Sequence, residues 1–152
     1  MSNQVTINQV ADYILSFAQE SGAFISHLKL QKLAYYAQAW HLALHDEPLF
    51  EGSFEAWIHG PVNTSLYERF RSHSYKNIEL DVTRPELNES AKLFMDDLLE
   101  QYFSFDAYEL ERLSHQEAPW LNARGSLDPT MQCYRNISEL DMKTFYKARV
   151  GI

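Results

Sequence analysis

Histidine is where this sequence comes nearest to reaction chemistry. His41 and His45 stand four residues apart, which puts both imidazoles on one face of a helix at the spacing of two-His metal sites. No Glu follows His41, so the HExxH pattern of zinc hydrolases is absent. His59 and His115 are the residues that would complete a ligand set. A metal-dependent hydrolase using His41, His59 and His115 is therefore one reading. The packing alternative leaves His41 partly buried with a satisfied nitrogen and His45 at a fraying helix end. Ser114, His115 and Glu117 have the residue types of acyl transfer, but there is no G-x-S-x-G elbow, and Ser114 is expected to bond backbone at a helix end. Cys133 has no local His and reads as inert. The five glycines form no phosphate-cradling cluster. Lys29 and Lys32 beside Tyr35 and Tyr36 would suit RNA as a basic aromatic strip, or else are two lysines snorkelling from a central helix.

Two further clusters share a composition. Residues 56–62 (AWIHGPV) and 114–120 (SHQEAPW) each combine His, Pro and Trp. Core fixation accounts for either one alone. Brought together in space, they would form an aromatic surface suited to gripping a protein.

The elements that must position these residues are mostly helical. Thr6 with Gln9 makes a capping box, apolar residues follow at helical spacing, and Gly22 can take the left-handed C-terminal conformation. Ser26 caps the next helix, which runs from His27 to His45 without Gly or Pro. Leu30, Leu33, Ala37, Trp40 and Leu44 form one apolar stripe, and Leu28, Tyr35, Ala39 and Leu42 form a second on the opposite side. A helix apolar on two faces is central and covered on both. Its polar residues, Lys29, Gln31, Lys32 and Gln38, must reach solvent or a specific partner. Residues 49–58 read as extended with a bulge or hairpin at Gly52, and His59-Gly60-Pro61 reads as a turn. Asn63 or Thr64 caps a short helix, and residues 78–82 alternate as a half-exposed strand. Asn88, Asp106 and Ser138 are further caps, and Pro119 suits a first helical turn. The expected fold is mainly α (α+β): six or seven helices around a central buried helix with a small antiparallel β element, in a single domain over residues 1–152.

Composition narrows the partners. Thirteen Lys and Arg against 21 Asp and Glu give a net charge of −8, which lacks the positive field that nucleic acid or anionic lipid requires. A basic protein partner is allowed. One cysteine excludes a disulfide framework, no stretch is long and apolar enough to span a membrane, and the N-terminus has no signal-peptide pattern. A cytoplasmic location is expected.

The central helix also carries a resemblance. Residues 28–43 (LKLQKLAYYAQAWHLA), then PLF at 48–50, EAW at 55–57 and HGPV at 59–62, then LSH at 113–115 and PW at 119–120, resemble in order and spacing the Panacea domain, the SocA-like family also known as phage-associated or genetic-element proteins. The resemblance covers residues 6–125. Asp46 stands near where the family often has Gly, and Asp tolerates a left-handed turn; Ala39 also stands where Gly is common. Some relatives carry an N-terminal helix-turn-helix, and since this sequence begins almost at the domain, direct operator binding is not expected. The resemblance implies an antitoxin without cofactor that binds a cognate protein toxin encoded next door. Partner toxins in the family include translation inhibitors, nucleotide-modifying synthetases and membrane-active proteins. The founding member delivers its toxin to a Clp-type protease, so occlusion and proteolytic delivery both stay open, as do a host factor as partner and the oligomeric state. Lys32, Tyr35, Trp57, His59, His115 and Trp120 are expected to border the toxin-binding surface, because their chemistry stands out among routine packing positions. Residues 128–152 lie beyond the resemblance and are either partner-specific or core closure.

Overall fold

Ser26 starts the element around which the rest is built. Its hydroxyl accepts from the Lys29 N–H, and α2 (His27–His45) then runs 19 residues. A computed structural model of the chain describes residues 5–73 and 76–150. Residues 1–4 and 151–152 of the domain read from the sequence lie outside the described residues. Most of both stripes of α2 is buried, as the two-faced pattern predicts, but Leu44 near its C-terminal end is exposed. Leu30, Leu33, Ala34, Tyr36, Ala37 and Ala39 have no measurable exposure. α2 packs against α1 (Ile7–Glu20), α3 (Thr64–Phe70), α4 (Glu89–Tyr102), α5 (Ala107–His115) and α7 (Glu139–Lys147). α6 (Ala118–Arg124) lies against α5 and α7. Among the described residues there are thus seven α-helices, a 3-10 turn at Arg71–His73 and one two-stranded antiparallel sheet. None of the helices is long and apolar enough to cross a membrane.

Every cap read from the sequence is made. The capping boxes of Thr6 with Gln9 and of Asp106 with Glu109 are both complete, and Asn63, Asn88 and Ser138 each accept from the N3 backbone. Asp46 ends α2 at φ 60 and ψ 19, the left-handed turn that Asp tolerates at a helix C-terminus. Its carboxylate then binds Lys147 at 2.7 Å and Lys143 at 3.1 Å, fastening α7 to this end of α2.

The extended regions differ from the sequence reading in two places. The hairpin does not turn at Gly52. β1 (Glu55–Trp57) pairs with β2 (Gly60–Val62), so Ile58 and His59 are the turn and Pro61 is inside a strand opposite Ala56. The Ala56 N–H donates to the Arg135 carbonyl at 2.9 Å and its own carbonyl accepts from Arg124 Nη1 at 2.8 Å. Pro61 therefore occupies a rung that asks it for no N–H. Residues 78–82 form no strand. Only a bridge between Asn77 and Ser26 appears, with the Ile78 N–H on the Ile25 carbonyl at 2.7 Å. Alternation alone does not make a strand when no neighbouring backbone offers a ladder.

The segment beyond the resemblance closes the core. Residues 135–137 run along β1, with the Ile137 N–H on the Phe54 carbonyl at 2.7 Å and a bridge from Asn136 to Glu55. Met142 and Tyr146 of α7 are buried against α2, and Phe145 is packed on the core edge. Tyr134 alone of the aromatics named in this segment is exposed.

Candidate docking groove

The β1–β2 hairpin projects its turn over one end of α2, and beside it opens a groove of about 760 Å3 between the hairpin, α3, α5 and the start of α2. Trp57 leaves β1 as one wall. Its ring lies 4.9 Å from that of Tyr67 and 5.8 Å from that of Tyr134, and its Nε1 donates to Glu55 at 2.8 Å. Tyr108 of α5 is the opposite wall and is 66% exposed. His59, at the hairpin tip with a side chain 66% exposed, donates through Nδ1 to the Glu111 carboxylate at 3.2–3.3 Å. His27 and Gln31 form the floor. Gln31 holds both backbone groups of Asn63, donating to the carbonyl at 3.1 Å and accepting from the N–H at 2.9 Å.

Behind the hairpin the two His-Pro-Trp clusters do converge. Trp120 Nε1 donates to the Trp57 carbonyl at 2.9 Å, the His115 ring stacks on Trp120 at 4.0 Å, and the His115 ring is hydrogen-bonded to the Ile58 backbone. Convergence places them differently from the sequence expectation, however. Trp120 is 3% exposed and supports the hairpin from inside. His115 is half-buried, with Nε2 buried and without a partner, and burial lowers its pKa. Tyr35 is 1% exposed, enclosed by Tyr36, Phe54 and Tyr146 at 5.2–6.5 Å, so it does not border a surface. Lys32 does not border one either, and it does not snorkel. It has no exposure, and its Nζ has no hydrogen-bond partner. Burial pushes its amine down from 10.5 to about 7, with Glu111 acting in the opposite direction. Of the six expected residues, Trp57 and His59 face the groove, and His115, Trp120, Lys32 and Tyr35 lie behind it.

The remaining chemistry disperses. His41 lies fourteen residues along α2 from His27, about 20 Å at the helical rise, and binds the Glu47 carbonyl through Nδ1 at 2.7 Å. Its ring contacts are a tilted one with His45 at 4.6 Å and an edge-to-face one with Phe94 at 5.1 Å, not His59 or His115. Among the described residues no three of His, Cys, Asp and Glu are placed to hold a metal ion. The hydrolase reading thus loses its ligand set. Ser114 is buried and donates to the Glu111 carbonyl at 3.0 Å, the helix-end bond expected of it.

With this arrangement in view, the comparisons decide the family. The family model described as "Antitoxin SocA-like, Panacea domain" matches residues 30–121. The chain belongs to the Panacea family. A curated relative, "Antitoxin SocA" of Caulobacter vibrioides (strain NA1000 / CB15N), is 39% identical over 74 residues. That stretch takes in 49% of this chain and 39% of the relative, so the chain matches well under half of that protein's length. No solved structure matches the chain.

The Panacea match runs from the first turn of α2 into α6 and contains the whole hairpin. Its polar residues on α2 are explained by what they hold. Gln38, two turns beyond Gln31, donates to the Phe50 carbonyl at 2.8 Å and accepts from the Leu49 N–H at 2.8 Å. The two glutamines thereby seat the loop after α2 and the end of β2. Tyr67, Tyr108 and Glu111 are groove residues that sequence reading overlooked. Tyr108 and Glu111 are three apart on a capped helix, and that spacing is the signal that would have put them on one face.

Proposed function

We propose that this Panacea domain is an antitoxin that neutralises a cognate protein toxin by direct contact, with the groove between the hairpin and α5 as the docking face. The observation that carries the reading is the aromatic lining of half-buried Trp57 and Tyr67 and exposed Tyr108 around His59, with exposed Tyr134 against Trp57. Tyr and Trp are the residues that dominate binding energy when a partner covers them. Membership of an antitoxin family supplies the class of partner. The net charge of −8 favours a basic toxin. The protein acts by contact rather than turnover.

The test is rescue by co-expression with the neighbouring toxic reading frame. Wild type rescues growth. Tyr108→Ala and His59→Ala keep the fold, because both side chains are exposed, and they weaken toxin binding by about 2 kcal/mol or more, roughly 30-fold. Full rescue and full affinity in both variants would remove the groove from the interface. Repeating the rescue in a host without Clp proteases separates occlusion, where rescue persists, from delivery, where it is lost.

A further inference from the structure

The hairpin tip touches two polar side chains on opposite sides. Outside, His59 holds the Glu111 carboxylate at 3.2–3.3 Å. Inside, the neighbouring Gly60 backs onto the Lys32 amine. A Cβ on Gly60 would stand 3.0 Å from Lys32 Cε, 3.0 Å from Ser114 Oγ and 3.3 Å from Lys32 Nζ. Lys32 and the Ser114 hydroxyl therefore meet at one point beneath the tip. Glu111 precedes Ser114 by three residues on α5, so the two side chains are neighbours on one helix face. The carboxylate that serves His59 is thus rooted near an amine that has no hydrogen-bond partner among the described residues and whose charged form it already favours.

We propose that Glu111 is a two-position carboxylate: it binds His59 while the groove is empty and turns inward to Lys32 when a partner takes His59. Occupation of the tip is then passed to the core as a shift of a buried amine toward its charged form, with net proton uptake from solvent. Other titratable groups near Lys32 do not compete for it. His27 on α2 is pushed down to about 4 by burial, then by His73 and Lys32, and His115 on α5 is also lowered by burial, so both are neutral near pH 7. β2 contributes only Gly60, Pro61 and Val62. The coupling rests on the groove being the docking face, but its test needs no partner, so failure here leaves the docking reading standing.

The test follows the Lys32 side-chain resonance by NMR against pH in the full chain, with Lys32→Met identifying the signal. In the wild type Glu111 is held outward. His59→Ala releases it, and the Lys32 midpoint should rise by about one to three pH units, the effect of an opposite charge brought close. In a Glu111→Gln background the same His59→Ala change should leave the midpoint where Glu111→Gln alone puts it. An unmoved or lowered midpoint in His59→Ala overturns the proposal. So does an equal rise in both backgrounds, which would assign the effect to His59 itself.

Discussion

At the scale of single residues, Lys32 is the most exacting position. Its amine is held near 7 in the fold and returns to about 10.5 when the chain unfolds. Between those values the unfolded chain binds the extra proton, so stability climbs as pH rises from 7 to about 10 and then levels. Lys32→Met removes an unsatisfied buried donor and should stabilise the protein at pH 7 by about 1–3 kcal/mol. Denaturant melts from pH 7 to 10 should show a steeper climb in the wild type than in the variant. Glu117 behaves with the opposite slope. Its Oε1 accepts from Tyr36 at 2.7 Å and from Tyr146 at 2.6 Å, yet burial raises its pKa against both bonds. A raised carboxyl contributes stability in acid and loses it as pH rises from about 4.5 through the folded value. Glu117→Gln keeps the acceptor oxygen and removes this dependence, so in thermal melts from pH 5 to pH 7 the variant should gain stability relative to the wild type. None of this was legible in the sequence. A lysine on a two-faced helix is expected to snorkel, and only the packing of β2 and α5 over the same face of α2 closes its route to solvent.

At the scale of elements, local signals were read well and pairing was not. Each cap is decided within four residues, by a side chain meeting an unpaired N–H, so Thr6, Ser26, Asn63, Asn88, Asp106 and Ser138 could be placed directly. The hairpin turn and residues 78–82 depended on which distant backbone lay alongside, and alternation does not contain that. The glutamines of α2 show the same divide: the sequence requires that they find partners without saying that the partners are loop backbones. Gln38→Ala would strand the Leu49 N–H and the Phe50 carbonyl in the core, so it should cost about 1–3 kcal/mol in chemical denaturation. Gly60 has φ 111, and a Cβ there would crowd Lys32 and Ser114 at 3.0 Å. Gly60→Ala is expected to destabilise by about 1–3 kcal/mol and to weaken toxin binding through the hairpin tip. Gly22→Ala makes the comparison: it is equally left-handed at φ 77 but has nothing within 4 Å, so it should affect stability alone.

At the scale of the molecule, the aromatic rim and its support are separate. Trp57, Tyr67, Tyr108 and Tyr134 stand on the hairpin, α3, α5 and the segment beside β1, while Lys32, Trp120 and Arg124 hold that frame from within. Arg124 alone joins three stretches, donating to the carbonyls of Ala56, Asp128 and Met131. The sequence showed that residues 56–62 and 114–120 share His, Pro and Trp, but it could say neither that they converge nor which ring faces inward. The charge of −8 acts over the whole surface, so association with a basic toxin should slow as salt rises, in stopped-flow measurements between about 50 and 500 mM. Dissociation should change much less. The close seating of Gly60 on Lys32 and Ser114 has a thermodynamic consequence as well. A tip fixed in place before any encounter has little ordering entropy left to lose, so calorimetry should find a heat-capacity change no larger than the covered apolar area requires, without the surplus that marks folding coupled to binding.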